Sequence, residues 1–205
     1  MMRAIPTTNP RRRPRQARAQ ATVDAIVKAT AQVLVGLGYD RASTNRIAQT
    51  AGVSIGSLYQ YFPSKEALVA NLVESHREQM DQVLRERLAG PRPGGLEARA
   101  RRLTAALVAA YRVDPELHHV LCQEVPKVGK LCEVYGFEQR LASLCREYLF
   151  SSSETRPVDV ERATFLLVNS VPSVIRAHIQ ADTEGAHDEG LIEEITELMV
   201  RYLSA

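Results

Sequence analysis

The apolar positions fall into helical rhythm from Val23 onward. Val23, Ile26, Val27, Thr30 and Leu34 repeat three and four apart, the spacing of one helix face, and Gly36 and Gly38 supply the stop. Ser43 is a good N-cap for a short second element whose small apolar face is Ile47, Ala48 and Ala51, closed by Gly52. Ser54 caps a third short helix through about Tyr61, and Ser64 a fourth that begins at Lys65 and runs towards Leu88. Two helices of about eight residues joined by a tight glycine turn make a helix-turn-helix. The segment from Ala89 to Gly95 reads as a linker. Beyond it, Leu96 to Tyr111 is helical with Leu103, Leu107 and Val108 for burial, and Asp114-Pro115 restarts a helix with an acid cap and proline at the first helical position. A further helical stretch is expected from about Pro126 to Phe150, broken near Gly129 and Gly136, and Ser151 to Ser153 reads as a loop. Residues 158 to 181 are apolar on more than one side, so this helix must be covered on more than one side. Pro172 within it predicts a kink and a freed carbonyl near Val168. The last helix, 188 to 204, carries Leu191, Ile192, Ile195, Leu198, Met199 and Tyr202 as one stripe. No repeat and no convincing strand is visible.

Composition agrees with an all-α fold. The 205 residues are 45% hydrophobic and 24% charged, which fits a folded soluble protein, and the 5% aromatic content without tryptophan disfavours sheet. A net charge of +2 conceals an asymmetry: up to Lys65 ten basic residues face two acids, leaving sixteen against twenty-two beyond it. A segment of charge +8 suits a polyanion, although solvated surface cations produce the same count. Residues 1–16, with three prolines and the Arg11-Arg12-Arg13 run, read as a disordered basic arm. No stretch reaches the ~18 consecutive apolar residues of a membrane span. Asp24 and Lys28 interrupt any secretory core, and three cysteines without a CxxC pair fit a reducing cytosol, so a cytoplasmic protein is expected.

The helix-turn-helix has its own chemistry. A recognition helix presents its N-terminal half to the major groove and needs short side chains there, which Ser54, Ile55, Gly56 and Ser57 provide. Gly56 costs the helix about 1 kcal/mol against alanine, tolerable where DNA must approach closely. Tyr59, Gln60 and Tyr61 follow as polar reachers, and Lys65 opens the next helix near the phosphate track. The run from Ser43 to Leu68, with its Leu58-Tyr59-x-x-Phe62-x-x-Lys65 tail, closely resembles the DNA-binding region of the TetR family of transcriptional regulators. The likeness extends from about Ala17 to Leu72. It implies phosphate contacts by Thr44 and Tyr61, base reading by Asn45 and Gln60, and DNA contacts by Ser57, Tyr59 and Lys65, with Arg46 and Ser54 on the same surface. Tyr59 has a second reading, as a core aromatic with an exposed hydroxyl; Ile47, Ala48, Leu58 and Phe62 read as core. Arg11 to Arg18 either reach the minor groove or attract phosphate without sequence preference.

The resemblance further implies a variable C-terminal domain that dimerises through its last two helices and binds a small effector, which usually releases the operator. Burial of those helices within one chain is the alternative. His118 and Cys122, four apart, share a helix face; two metal ligands, a buried histidine with a small apolar cysteine, or the polar groups of an effector cavity all fit that spacing. Cys132 and Cys145 do not complete a tetrahedral set, and neither exposure nor a lowered thiol pKa can be read for redox sensing. The cavity expected from helix faces takes Leu103, Leu107, Tyr111, Tyr135 and Phe165 as walls, with His118, Cys122 and Asn169 as polar groups. No nucleophile elbow, phosphate loop or HExxH frames an enzyme. The expectation is therefore a basic arm over 1–16, a DNA-binding domain over 17–65 and a helical-bundle effector and dimerisation domain over 66–205. No catalytic residue, metal or cofactor is assigned. A homodimeric repressor of a palindromic operator is the leading function; an effector-independent architectural DNA binder is the alternative.

Overall fold

A computed structural model describes residues 17–124, 135–150, 155 and 159–204. The described residues are helical, in the order α1 (Ala17–Arg41), α2 (Thr44–Thr50), α3 (Ile55–Tyr61), α4 (Lys65–Leu88), α5 (Leu96–Tyr111), α6 (Pro115–Glu124), α7 (Tyr135–Leu149), α8 (Val160–Ala181) and α9 (Asp188–Leu203). Extended pairing among them is limited to an isolated bridge between Thr155 and Ser204. Local chemistry sets the boundaries. Gly38 interrupts α1 with φ 74°, a conformation that side chains rarely adopt. Ser43, Ser54 and Asp159 cap α2, α3 and α8 by accepting the backbone N–H three residues on, and Ser64 does the same for Ala67 at the start of α4. Proline opens α6 as expected. Gly136 lies in the first turn of α7 instead of breaking a helix, because α7 begins one residue before it; the expected helix over 126–134, with Gly129, lies outside the described residues.

Contacts divide the described residues into two units. The first runs to His76 and takes in α6 from Glu116; the second comprises Arg77–Pro115 and the described residues from Tyr135 on. In the first, Ile26, Leu34, Ile47, Leu58, Phe62, Leu68 and Val69 are fully buried, and Leu117 and Leu121 of α6 join the same core. By length and composition, Ala19–Arg41 could cross a membrane, but Ile26, Ala29, Val33 and Leu34 of this helix are core residues here. The second core is built from α4 beyond Met80 with α5, α7, α8 and α9. Pro172 is buried inside α8, which continues to Ala181. On α9, Ile192, Ile195 and Met199 are buried while Leu198 is 58% exposed, so the predicted stripe divides between two faces.

Candidate nucleic-acid interface

The turn between α2 and α3 fixes how the two helices meet. Gly52, at φ 67°, lets its own N–H reach the Gln49 carbonyl (3.2 Å) and the Val53 N–H reach that of Ala48 (3.0 Å). These paired bonds satisfy the last carbonyls of α2 and reverse the chain within two residues. Ser54 then accepts the Ser57 N–H at 3.0 Å and donates its hydroxyl to Ser57 Oγ at 2.9 Å. Ile47, Ala48, Leu58 and Phe62 are all buried, as the pattern predicts, and hold the pair from behind.

The opposite face is open and polar. Asn45, Arg46, Ser54, Tyr59 and Gln60 are exposed, while Thr44, Ser57, Tyr61 and Lys65 are half-buried. Thr44 Oγ1 and the Tyr59 hydroxyl lie 3.1 Å apart, joining the start of α2 to the middle of α3. Tyr59 is therefore a surface aromatic, 40% exposed, and not a core one. Tyr61 packs its ring against the core. Lys65 is more committed than its sequence context suggests: its ammonium donates to the Tyr39 carbonyl at 3.0 Å and sits 3.9 Å from the centre of the Tyr39 ring. A phosphate would compete with both contacts.

The proposed effector residues do not gather in one place. Leu103 and Leu107 line an apolar cavity of about 20 Å³ in the second unit, with Leu141, Cys145, Leu149, Leu167, Val168, Val171, Pro172 and Met199. Tyr111 is buried in the same core without lining that cavity. Phe165, 67% exposed, and Asn169, whose amide donates to the Phe165 carbonyl at 2.7 Å, stand on the outer face of α8; helical phase turns them away from Leu167 and Val171. His118 and Cys122 belong to the first unit, where His118 Nε2 lies 3.4 Å from Cys122 Sγ and His118 Nδ1 lies 3.2 Å from His76 Nε2. The Tyr135 side chain and Cys132 lie outside the described residues.

Residues 26–72 match the model of "Bacterial regulatory proteins, tetR family", and residues 95–203 match that of "Tetracyclin repressor-like, C-terminal domain". The chain belongs to the TetR family. It is a DNA-binding transcriptional regulator. Among its relatives, the A-factor receptor protein of Streptomyces griseus is 42% identical over 60 residues, 29% of this chain and 22% of that protein. The nucleoid occlusion factor SlmA of Haemophilus ducreyi is 46% identical over 48 residues, 21% of this chain and 24% of that one. Thus the chain spans under a quarter of either relative. The fatty acid degradation regulator FadR from Bacillus halodurans shares the fold, with TM-score 0.72 and 21% identity over 91% of this chain and 96% of that structure.

Two features of this TetR-family chain escaped the sequence pattern. Cys145 lines the cavity, and burial pushes its thiol up to about 11; the spacing of Leu141, Cys145 and Leu149 held that signal. At the turn between α8 and α9, His178, Asp182 and Asp188 bring one ligand atom each within 4.8 Å of one another. Arg112 donates to both oxygens of Asp188 (2.9 and 2.5 Å) and to the Thr183 carbonyl. Asp182 is held below the usual carboxylate range, first by the His187 N–H. The carboxylates are engaged by the chain itself, forming a clasp that fastens the end of α5 to this turn.

Proposed function

We propose that the protein is a homodimeric repressor that holds a palindromic operator with α2 and α3 and releases it when a small apolar effector enters the second unit. The cavity behind Leu103 and Leu107 carries the reading: its walls are apolar, and at about 20 Å³ it has room for little more than one water. An effector larger than a water would have to widen this cavity, so occupancy and shape are linked. α4 offers the route, since Leu68, Val69 and Leu72 belong to the first core while Met80, Leu84 and Leu88 belong to the second. Phe165, Leu166 and Val174 on α8 and Leu198 on α9 are large, apolar and exposed, which suits burial against a second copy and a two-fold reader of DNA. The names of the A-factor receptor and the fatty acid regulator are in keeping with a ligand-responsive role.

Linkage tests the mechanism. Operator must weaken effector affinity by the factor with which effector weakens operator affinity, and equal effector affinity with and without operator would overturn it. A second reading, an architectural DNA binder without an effector, is in keeping with the name of the nucleoid occlusion factor. Titrating the protein–DNA complex with a panel of small apolar molecules separates the two: release supports the repressor, and indifference to every compound supports the architectural role.

A further inference from the structure

Among the described residues of the first unit, the large apolar side chains left exposed are Ile55 and Tyr59, both on α3 and four residues apart, hence on one face. Leu58 and Phe62 are fully buried on the other side. Tyr59 has a hydroxyl to present and a partner in Thr44. Ile55 has only hydrocarbon, 38% exposed at the N-terminal end of the helix. Gly56 beside it is independent evidence. Its φ is not positive, and a Cβ built on it would meet only Ser54 Oγ, at 3.9 Å. The fold would accept alanine there, so the helix forgoes propensity without an internal steric reason. The bare backbone leaves space for something outside the protein.

A recognition helix enters the major groove with its N-terminal residues against the base edges. Amid the donors and acceptors of that groove, the apolar feature is the C5-methyl of thymine. We propose that Ile55, seated beside the bare backbone of Gly56, reads a thymine methyl group in each operator half-site and is a specificity-determining residue of the interface. The inference rests on α3 being the recognition helix.

The experiment uses the full chain and a duplex obtained by binding-site selection. Each thymine is replaced in turn by deoxyuridine, which removes the methyl and leaves the hydrogen-bonding edges intact. Wild type should lose about fourfold in affinity at one thymine per half-site, the worth of one buried methyl. Ile55→Ala should bind thymine and uracil alike at that position while keeping the wild-type response at the others; because Ile55 is exposed, the variant should retain the wild-type melting temperature. If wild type binds its selected site tightly but no deoxyuridine effect depends on Ile55, the proposal fails and the DNA-reading role of α3 stands. If the folded protein selects no site, the reading of α3 fails with it.

Discussion

Tyr39, Lys65 and Glu66 form a small electrostatic joint where α1 meets α4. The Tyr39 hydroxyl donates to Glu66 Oε1 at 3.4 Å, and the Lys65 ammonium lies over the Tyr39 ring. Burial, then the charge of Glu66, pushes the Tyr39 phenol up to about 12. For Glu66, burial is the largest influence and pulls its carboxyl upward. Hydrogen bonds from its own N–H, Ser64 and Tyr39, with the Lys65 charge, outweigh it and leave the group below its ordinary value. The signs follow from linkage. The Glu66 contribution is present above about pH 4.5 and lost on acidification, whereas the Tyr39 contribution is present below pH 10 and lost as pH rises towards 12. Urea unfolding against pH should therefore show a shallower acid loss in Glu66→Gln and a shallower alkaline loss in Tyr39→Phe than in wild type. Unchanged slopes would mean the joint contributes nothing. Gly56→Ala should leave the melting temperature equal to or above that of wild type and weaken operator binding, separating close approach of DNA from folding. Buried Cys145 should resist a thiol reagent in the folded protein and react once unfolded, as mass spectrometry of the labelled peptides would show.

At the scale of elements, what was legible was local. Ser43, Ser54 and Asp114-Pro115 marked helix starts because capping acts within three residues, and Gly38 and Gly52, expected as helix ends, take the positive φ that suits glycine, Gly38 at a kink inside α1 and Gly52 at the turn after α2. The phase of α8 was not legible. A helix apolar on several sides gives no direction from its own pattern, so the sequence offers Phe165 as a cavity wall where the structure has it on the outer face, and only packing of Leu167, Val171 and Ile175 against α5, α7 and α9 settles the rotation. The seating of Leu117 and Leu121 in the first core was equally hidden, since no local signal says which core a short amphipathic helix joins. Arg112 and Asp188, 76 positions apart, pair only through the fold. The two faces of α8 predict opposite outcomes. Leu167→Ala should cost about 2–5 kcal/mol of unfolding free energy. Phe165→Glu should change protomer stability by no more than about 0.5 kcal/mol but shift the protein from dimer to monomer in sedimentation, with loss of cooperative operator binding. A Phe165→Glu protein that remained dimeric would move the interface elsewhere.

For the whole molecule, the distribution of charge and the two units bear on the same function. Ten basic residues against two acids up to Lys65 place cationic charge in the segment that carries the helix-turn-helix, while the acidic remainder has little affinity for a polyanion. The logarithm of the DNA-binding constant should therefore fall linearly with the logarithm of salt concentration, with a slope set by the phosphates neutralised. On the proposed function, this chain reads DNA as a two-fold dimer. Selection of binding sites from a random duplex library, with affinity then followed against salt, tests it most directly. The expected result is an inverted repeat whose half-sites lie about one helical turn apart, or a multiple of it, bound by one dimer. A folded, dimeric protein that enriches no motif, or that enriches only a single unrepeated half-site, would contradict it.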